Sequence, residues 1–213
     1  MPQATPALTK RLVAACADTI EANFDRLTAL DQAIGDGDHG ANMRRGFLAL
    51  RDSADDLAGL APSEALKKAG MTLVMKVGGA SGPLYGSLLM AMGKTEGIDG
   101  DLDRDRAATM LADGIAAVKA RGKSDVGAKT MLDVLVPVHA ALAGAGDGDL
   151  AALAERLKAA ADAAEAATVP MLATRGRASF LGERSIGHPD PGGESSRLLV
   201  HAVCDALLAE AGT

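Results

Sequence analysis

Three observations predict an all-α protein of about eight helices with no convincing strand. Alanine fills 44 of the 213 positions, and with the abundant leucine it favours helices packed closely through small side chains. Tryptophan is absent, and Phe24, Phe47, Tyr85 and Phe180 make up the aromatics. Few aromatic and β-branched residues argue against a sandwich or barrel of strands. Apolar residues recur at helical spacing between glycine-rich breaks. With 48% hydrophobic residues the chain can bury one core, or at most two small ones.

The first helix is expected from residue 8 to about 30, on the spacing of Leu8, Leu12, Ile20, Phe24 and Leu27. A second begins near 40–42 and runs to about 53. Ala61-Pro62-Ser63 starts a third, with proline tolerated in the first turn, and it reaches about Val77. The segment 78–83, GGASGP, breaks it. A fourth helix holds Leu84, Leu88, Leu89 and Met92, and a fifth occupies about 103–120. A sixth covers 128–142, kinked at Pro137. Residues 144–149 form a turn, and the seventh helix spans 150 to about 174. Residues 175–194 are a loop too long and too particular for a plain connector. The last helix spans about 195–211. No internal repeat or low-complexity linker divides the chain, so one domain over 1–213 is the simplest organisation.

The balance of 22 basic and 28 acidic residues gives a net charge of −6. There is no basic excess to track a nucleic-acid backbone, and too few aromatics for a stacking platform. No apolar run reaches the roughly 18–20 residues that span a bilayer. The start, MPQATPALTK, lacks a charged segment followed by an apolar one, so no signal peptide is expected and the protein is placed in the cytoplasm. Cys16 and Cys204 lie within helical patterns and read as buried free thiols of a reducing compartment.

The loops carry the unusual chemistry. Asp31, Asp36 and Asp38 fall within eight residues around the string IGDGDHG (34–40). They cannot share a face of one continuous helix, but a glycine-relaxed turn can fold them together. Three converging carboxylates repel one another unless a cation lies between them, and all-oxygen ligands select Mg2+ or Ca2+. The plain alternative is a solvated acidic turn with aspartates as helix caps. An EF-hand is excluded, because its glycine and glutamate positions counted from Asp36 hold Ala41 and Phe47. Gly40, Ala41 and Asn42 then open a helix, whose free N–H groups suit phosphate oxygens. The loop 78–83 also opens a helix, and Ser81 adds a hydroxyl donor; by itself it is equally a tight helix corner.

Together these features point to a Mg-nucleotide or Mg-diphosphate site built on helix ends. The standard signatures are missing: Gly122-Lys123-Ser124 has the tail of a P-loop, but Ala117 stands where its first glycine belongs. In the 175–194 loop, Arg177 is the best phosphate clamp, since guanidinium pairs oxyanions bidentately. Asp190 and Ser195 read otherwise as loop caps. His139 and His201 read as packing or surface residues. His39 can serve as a base or phosphoryl carrier, but nucleotide contact or loop packing is the favoured role. No Ser/His/Asp or Cys/His set is evident.

The strings LDQAIGDGDHGANMRRGF (30–47), GGASGPLYGSLL (78–89), GAKTMLDVLVP (127–137) and RASFLGERSIGHPDPGGESS (177–196) resemble the nucleotide-binding L subunits of dihydroxyacetone kinases, the DAK2/DhaL domain family. They occur in order over most of the chain. The resemblance implies an eight-helix antiparallel barrel with nucleotide and metal at one end. It implies two Mg2+ ions held by Asp31, Asp36 and Asp38. It implies ADP or ATP contacts from His39, Gly40, Ala41, Asn42, Ala80, Ser81, Gly122, Met131, Arg177, Asp190, Pro191 and Gly192, with Gly122 and Met131 in the least distinctive surroundings. With so few aromatics, adenine is expected against aliphatic side chains such as Met131.

The implied reaction is phosphoryl transfer to dihydroxyacetone held on a separate K subunit, so this chain is expected to be inactive alone. In one version of the family, ADP stays bound as a coenzyme and is rephosphorylated by a phosphotransferase-system M subunit. In the other, ATP is an exchangeable substrate, in some cases for another ketose. A regulatory role, binding a transcription factor, is compatible with either.

Overall fold

The computed structural model describes residues 3–100, 102–146 and 148–212. Among these residues there are ten α-helices, one 3-10 segment and no strand. Helix α1 (Pro6–Ala22) opens with Thr5 accepting the N–H of Leu8 and with Pro6 in the first turn. The single helix expected over 8–30 is in fact two. At Asn23 the side-chain amide donates to the carbonyl of Thr19 at 2.8 Å, competing with the backbone ladder, and α2 (Phe24–Ile34) begins afresh.

Next come α3 (His39–Asp52), α4 (Ala54–Ala58) and α5 (Pro62–Lys76). Helix α4 was not anticipated; five residues are too few to show a period, and burial of Leu57 and Ala58 holds them. Helices α6 (Ser81–Met92) and α7 (Arg104–Gly122) lie close to expectation. Helix α8 (Leu132–Ala143) starts four residues later than expected. Gly127 and Lys129 adopt left-handed backbone, and Asp133 accepts the N–H groups of Gly127 and Thr130 across the turn. Pro137 lies inside it.

Helix α9 (Leu150–Ala167) stops well short of 174. Thr168 turns its hydroxyl onto the carbonyl of Glu165, and Pro170 follows. A 3-10 segment (Arg177–Ser185) structures part of the expected loop. Helix α10 (Pro191–Ala211) starts earlier than expected, because Asp190 caps it by accepting the Gly193 N–H at 2.6 Å and Pro191 takes its first position.

The helices pack as a ring: α1 on α3, then α5, α6, α7, α8, α9 and α10 in turn, with α10 returning to α1. Helix α2 continues the wall beside α3 and α10. Short connections between neighbours make successive walls antiparallel. The links 35–38, 77–80, 123–131 and 168–190 therefore gather at one end. The interior holds Ile20, Leu27, Met43, Leu73, Val118 and Leu132, each at most 1% exposed. Glu210 closes the ring by accepting from Arg11 at 2.9 Å. Cys16 and Cys204 are free. No helix of the described residues is long and apolar enough to cross a membrane.

Candidate functional site

At the shared end of the ring, α3, α6, α8 and α10 all present their N-termini. Each leaves first-turn N–H groups without intrahelical acceptors and adds the positive end of a helix dipole. The negative partner comes from the α2–α3 link. Oxygen atoms of Asp31, Asp36 and Asp38 lie within 4.8 Å of one another. Asp31 is buried in the last turn of α2. It is held by the His39 N–H at 3.0 Å. Gly35 lets the chain pass close by, since a Cβ would fall 2.1 Å from Asp31 Oδ1 and 2.9 Å from the Asp31 carbonyl oxygen. Asp38 sits at the N-cap of α3 but makes no side-chain cap bond, which leaves its carboxylate facing the other two. Arg177 reaches Asp36 at 2.9 Å and supplies positive charge to this acidic corner. Oxygen donors alone, close together and only partly neutralised, fit a hard divalent cation.

One cleft is lined by Asp31, Asp36, Asp38, His39, Asn42, Ala80, Ser81, Met131, Arg177, Asp190, Pro191 and Gly192. The structure thus brings together twelve of the fifteen residues singled out in the sequence. The other three are not part of this lining. Gly40 packs against α2, Ala41 is exposed, and Gly122 ends α7 against Leu84, which itself lines the cleft. Ile34, Leu84 and Met131 give the cleft an aliphatic side.

From the lining inward runs a buried polar network that sequence reasoning missed. His39 Nδ1 is 3.1 Å from Ser81 Oγ, and Nε2 is 3.0 Å from Ser195 Oγ. The Tyr85 hydroxyl lies 2.9 Å from Ser195 Oγ and 2.8 Å from Ser196 Oγ. The chain of bonds ties α3, α6 and α10 together. Burial pushes the His39 pKa down, so the imidazole is favoured neutral. Both of its nitrogens are engaged, which suits an orienting role better than that of an open base. Asp190 is also buried, and burial pushes its carboxyl up to about 7. Lys129, Leu84 and Tyr85 line the cleft as well. A lone lysine, leucine or tyrosine in a helical pattern carries no signal of this placement.

The DAK2 domain family profile matches residues 33–205. A protein of Listeria innocua named PEP-dependent dihydroxyacetone kinase 2, ADP-binding subunit DhaL, is 44% identical over 193 residues, covering 88% of each chain. The Escherichia coli protein named PEP-dependent dihydroxyacetone kinase, ADP-binding subunit DhaL, is 42% identical over 183 residues, covering 84% of this chain and 87% of its own. The fold is similar to the crystal structure of the C. freundii dihydroxyacetone kinase in its native form, with a TM-score of 0.74 and 23% identity. That match covers 93% of this chain but 34% of the solved one, so the chain spans about a third of it.

Proposed function

The chain belongs to the DAK2 domain family, and on that premise we propose that it is the ADP-binding subunit of a dihydroxyacetone kinase. The whole chain acts as one nucleotide-binding domain. The observation that carries this reading is the meeting of three aspartates with the N-termini of α3, α6 and α10 in one cleft. Asp31, Asp36 and Asp38 would hold two Mg2+ ions. Mg2+ held there would supply positive charge that neutralises phosphate oxygens during phosphoryl transfer.

The chain's own residues bind and orient. The first-turn N–H groups at Gly40 and Ala41, and those at Ser81 and Gly192, face the diphosphate. The Arg177 guanidinium meets the phosphates beside Asp36. Adenine lies against Ile34, Leu84 and Met131. His39 keeps Ser81 and Ser195 in register through its two ring nitrogens.

The acceptor, dihydroxyacetone, would be held by a separate K subunit. Exposed Val126, Leu172, Phe180 and Ile186 sit on the links at the cleft end, where that subunit would dock. ADP would serve as a bound coenzyme, rephosphorylated by a phosphotransferase-system M subunit. Two measurements test the reading. Calorimetry should show Mg2+-dependent ADP binding that Asp36→Ala abolishes, and equal tight binding by both proteins would sink the metal assignment. Mass analysis of the purified protein should find ADP that resists dialysis. Free exchange of bound nucleotide with ATP would instead favour direct use of ATP.

A further inference from the structure

Lys129 is the largest side chain in the fully buried interior, 1% exposed, and it holds a left-handed backbone conformation with φ of 61°. A lysine is almost never buried to this degree without partners, and a left-handed non-glycine residue persists only where its surroundings enforce it. The partners are backbone carbonyls. Its ammonium donates to Val169 at 3.4 Å, Met171 at 3.0 Å and Ser185 at 2.6 Å. Three donors meet three acceptors, and among the described residues no carboxylate is within 4.0 Å of it. Burial pushes its pKa down, while the more distant Asp190 opposes the shift.

The three carbonyls stand at the two ends of a single excursion of the chain. Val169 and Met171 precede it, Ser185 closes it, and Arg177 lies between. The same neck is crossed by Gly187 N–H to Val169 O at 2.9 Å and by Ala173 N–H to Ser185 Oγ at 3.0 Å. Beyond the neck the excursion rests on α2, through the small cluster of Ile34, Ala173, Ala178 and Leu181, and on the 123–131 link, where Thr174 N–H donates to the Ala128 carbonyl at 3.1 Å and Arg175 Nε to the Lys123 carbonyl at 3.0 Å. The Arg177 side chain is largely exposed, and among the described residues it is tethered by its pair with Asp36. Where that guanidinium stands is therefore decided at the neck and along the 123–131 link that carries Lys129.

We propose that Lys129 is a positioning residue, a clamp that fastens both ends of the Arg177 excursion and so sets the guanidinium over the cleft. With all three of its protons taken by carbonyls, it acts on a bound diphosphate through Arg177 and not by direct contact. This deepens the nucleotide reading above and rests on it.

The test compares wild type, Lys129→Met, Arg177→Ala and the double variant in the full chain. The readouts are Mg-ADP affinity by calorimetry, the rate of trypsin cleavage at Arg175, Arg177 and Arg184, and far-ultraviolet circular dichroism. Lys129→Met, with Lys129→Gln as a second variant, should keep the helical spectrum, speed cleavage in the excursion and weaken Mg-ADP binding about tenfold. Arg177→Ala alone should also cost about tenfold, but adding it to Lys129→Met should cost less than about twofold more, because both losses pass through one guanidinium. Losses that multiply, unchanged affinity in the lysine variants, or loss of the helical spectrum in both of them overturn the proposal. If wild type itself binds no Mg-ADP, the nucleotide reading falls. The cleavage rates then still decide whether Lys129 clamps the excursion, and unchanged rates reject it.

Discussion

At Gly40 the first turn of α3 lies so close to α2 that a Cβ would fall 2.5 Å from the carbonyl oxygen of Phe24 and 2.9 Å from the Thr28 nitrogen. Backbone atoms cannot step aside as a side-chain tip can. Gly40→Ala should therefore destabilise the protein by about 1–3 kcal/mol, read from the midpoint of denaturant unfolding. Asp190 gives a residue-scale effect of pH. Burial raises its carboxyl to about 7 in the folded chain, above its ordinary value of 3.8. Between those two values the folded state holds the proton more tightly, so this group's contribution to stability falls as pH rises from about 4 to 7 and is flat above. Asp190→Asn should flatten that part of the curve of melting temperature against pH. An unchanged slope would mean that Asp190 ionises normally. Neither residue announces this in the sequence: Gly40 reads as the opening of a helix suited to phosphate, and Asp190 as a loop cap or, by the resemblance, a nucleotide contact.

Among the helices, α10 is tied to its neighbours by a charge cluster. Glu194, in its first turn, is fully buried and accepts from Arg26 of α2 at 2.6 Å and from Arg197 at 2.8 Å. Arg197 reaches on to Asp162 of α9 at 3.0 Å. Burial pushes the Glu194 carboxyl up, but Arg197 and Arg26 outweigh it and hold it below the ordinary value. Its stabilisation is thus present above the ordinary glutamate range and is lost as pH falls through the lowered value, opposite in sense to Asp190. Glu194→Gln should cost about 2 kcal/mol at neutral pH, measured by chemical denaturation, and less in acid.

Helix existence was legible from apolar spacing at this scale, while several ends were not. Asn23 broke the first predicted helix, Thr168 shortened the seventh, and Asp190 extended the last. Each end was settled by one polar side chain choosing a backbone partner, a choice that apolar periodicity does not record.

For the molecule as a whole, the cleft is assembled from links that join different walls of one ring. A ligand bridging them should stabilise all the walls together. Mg-ADP at about a hundredfold its Kd should raise stability by about 2.7 kcal/mol. Thermal melting would show this as a higher midpoint that EDTA reverses, and an EDTA-insensitive midpoint would argue against metal-dependent binding.

The sequence by itself determined the all-helical class, through alanine, leucine and the spacing of apolar residues. It also singled out the loops that meet at the cleft, because three aspartates and two glycine-rich helix starts are local patterns. What the tertiary structure alone decided was their convergence. Asp31, Ser81, Met131 and Gly192 are far apart in the chain and meet only because antiparallel packing brings alternate links to the same end. The His39–Ser195 bond spans 156 positions, and the clamp of Lys129 on Ser185 spans 56. Pairings at such separations depend on how whole helices pack, and no local pattern encodes them.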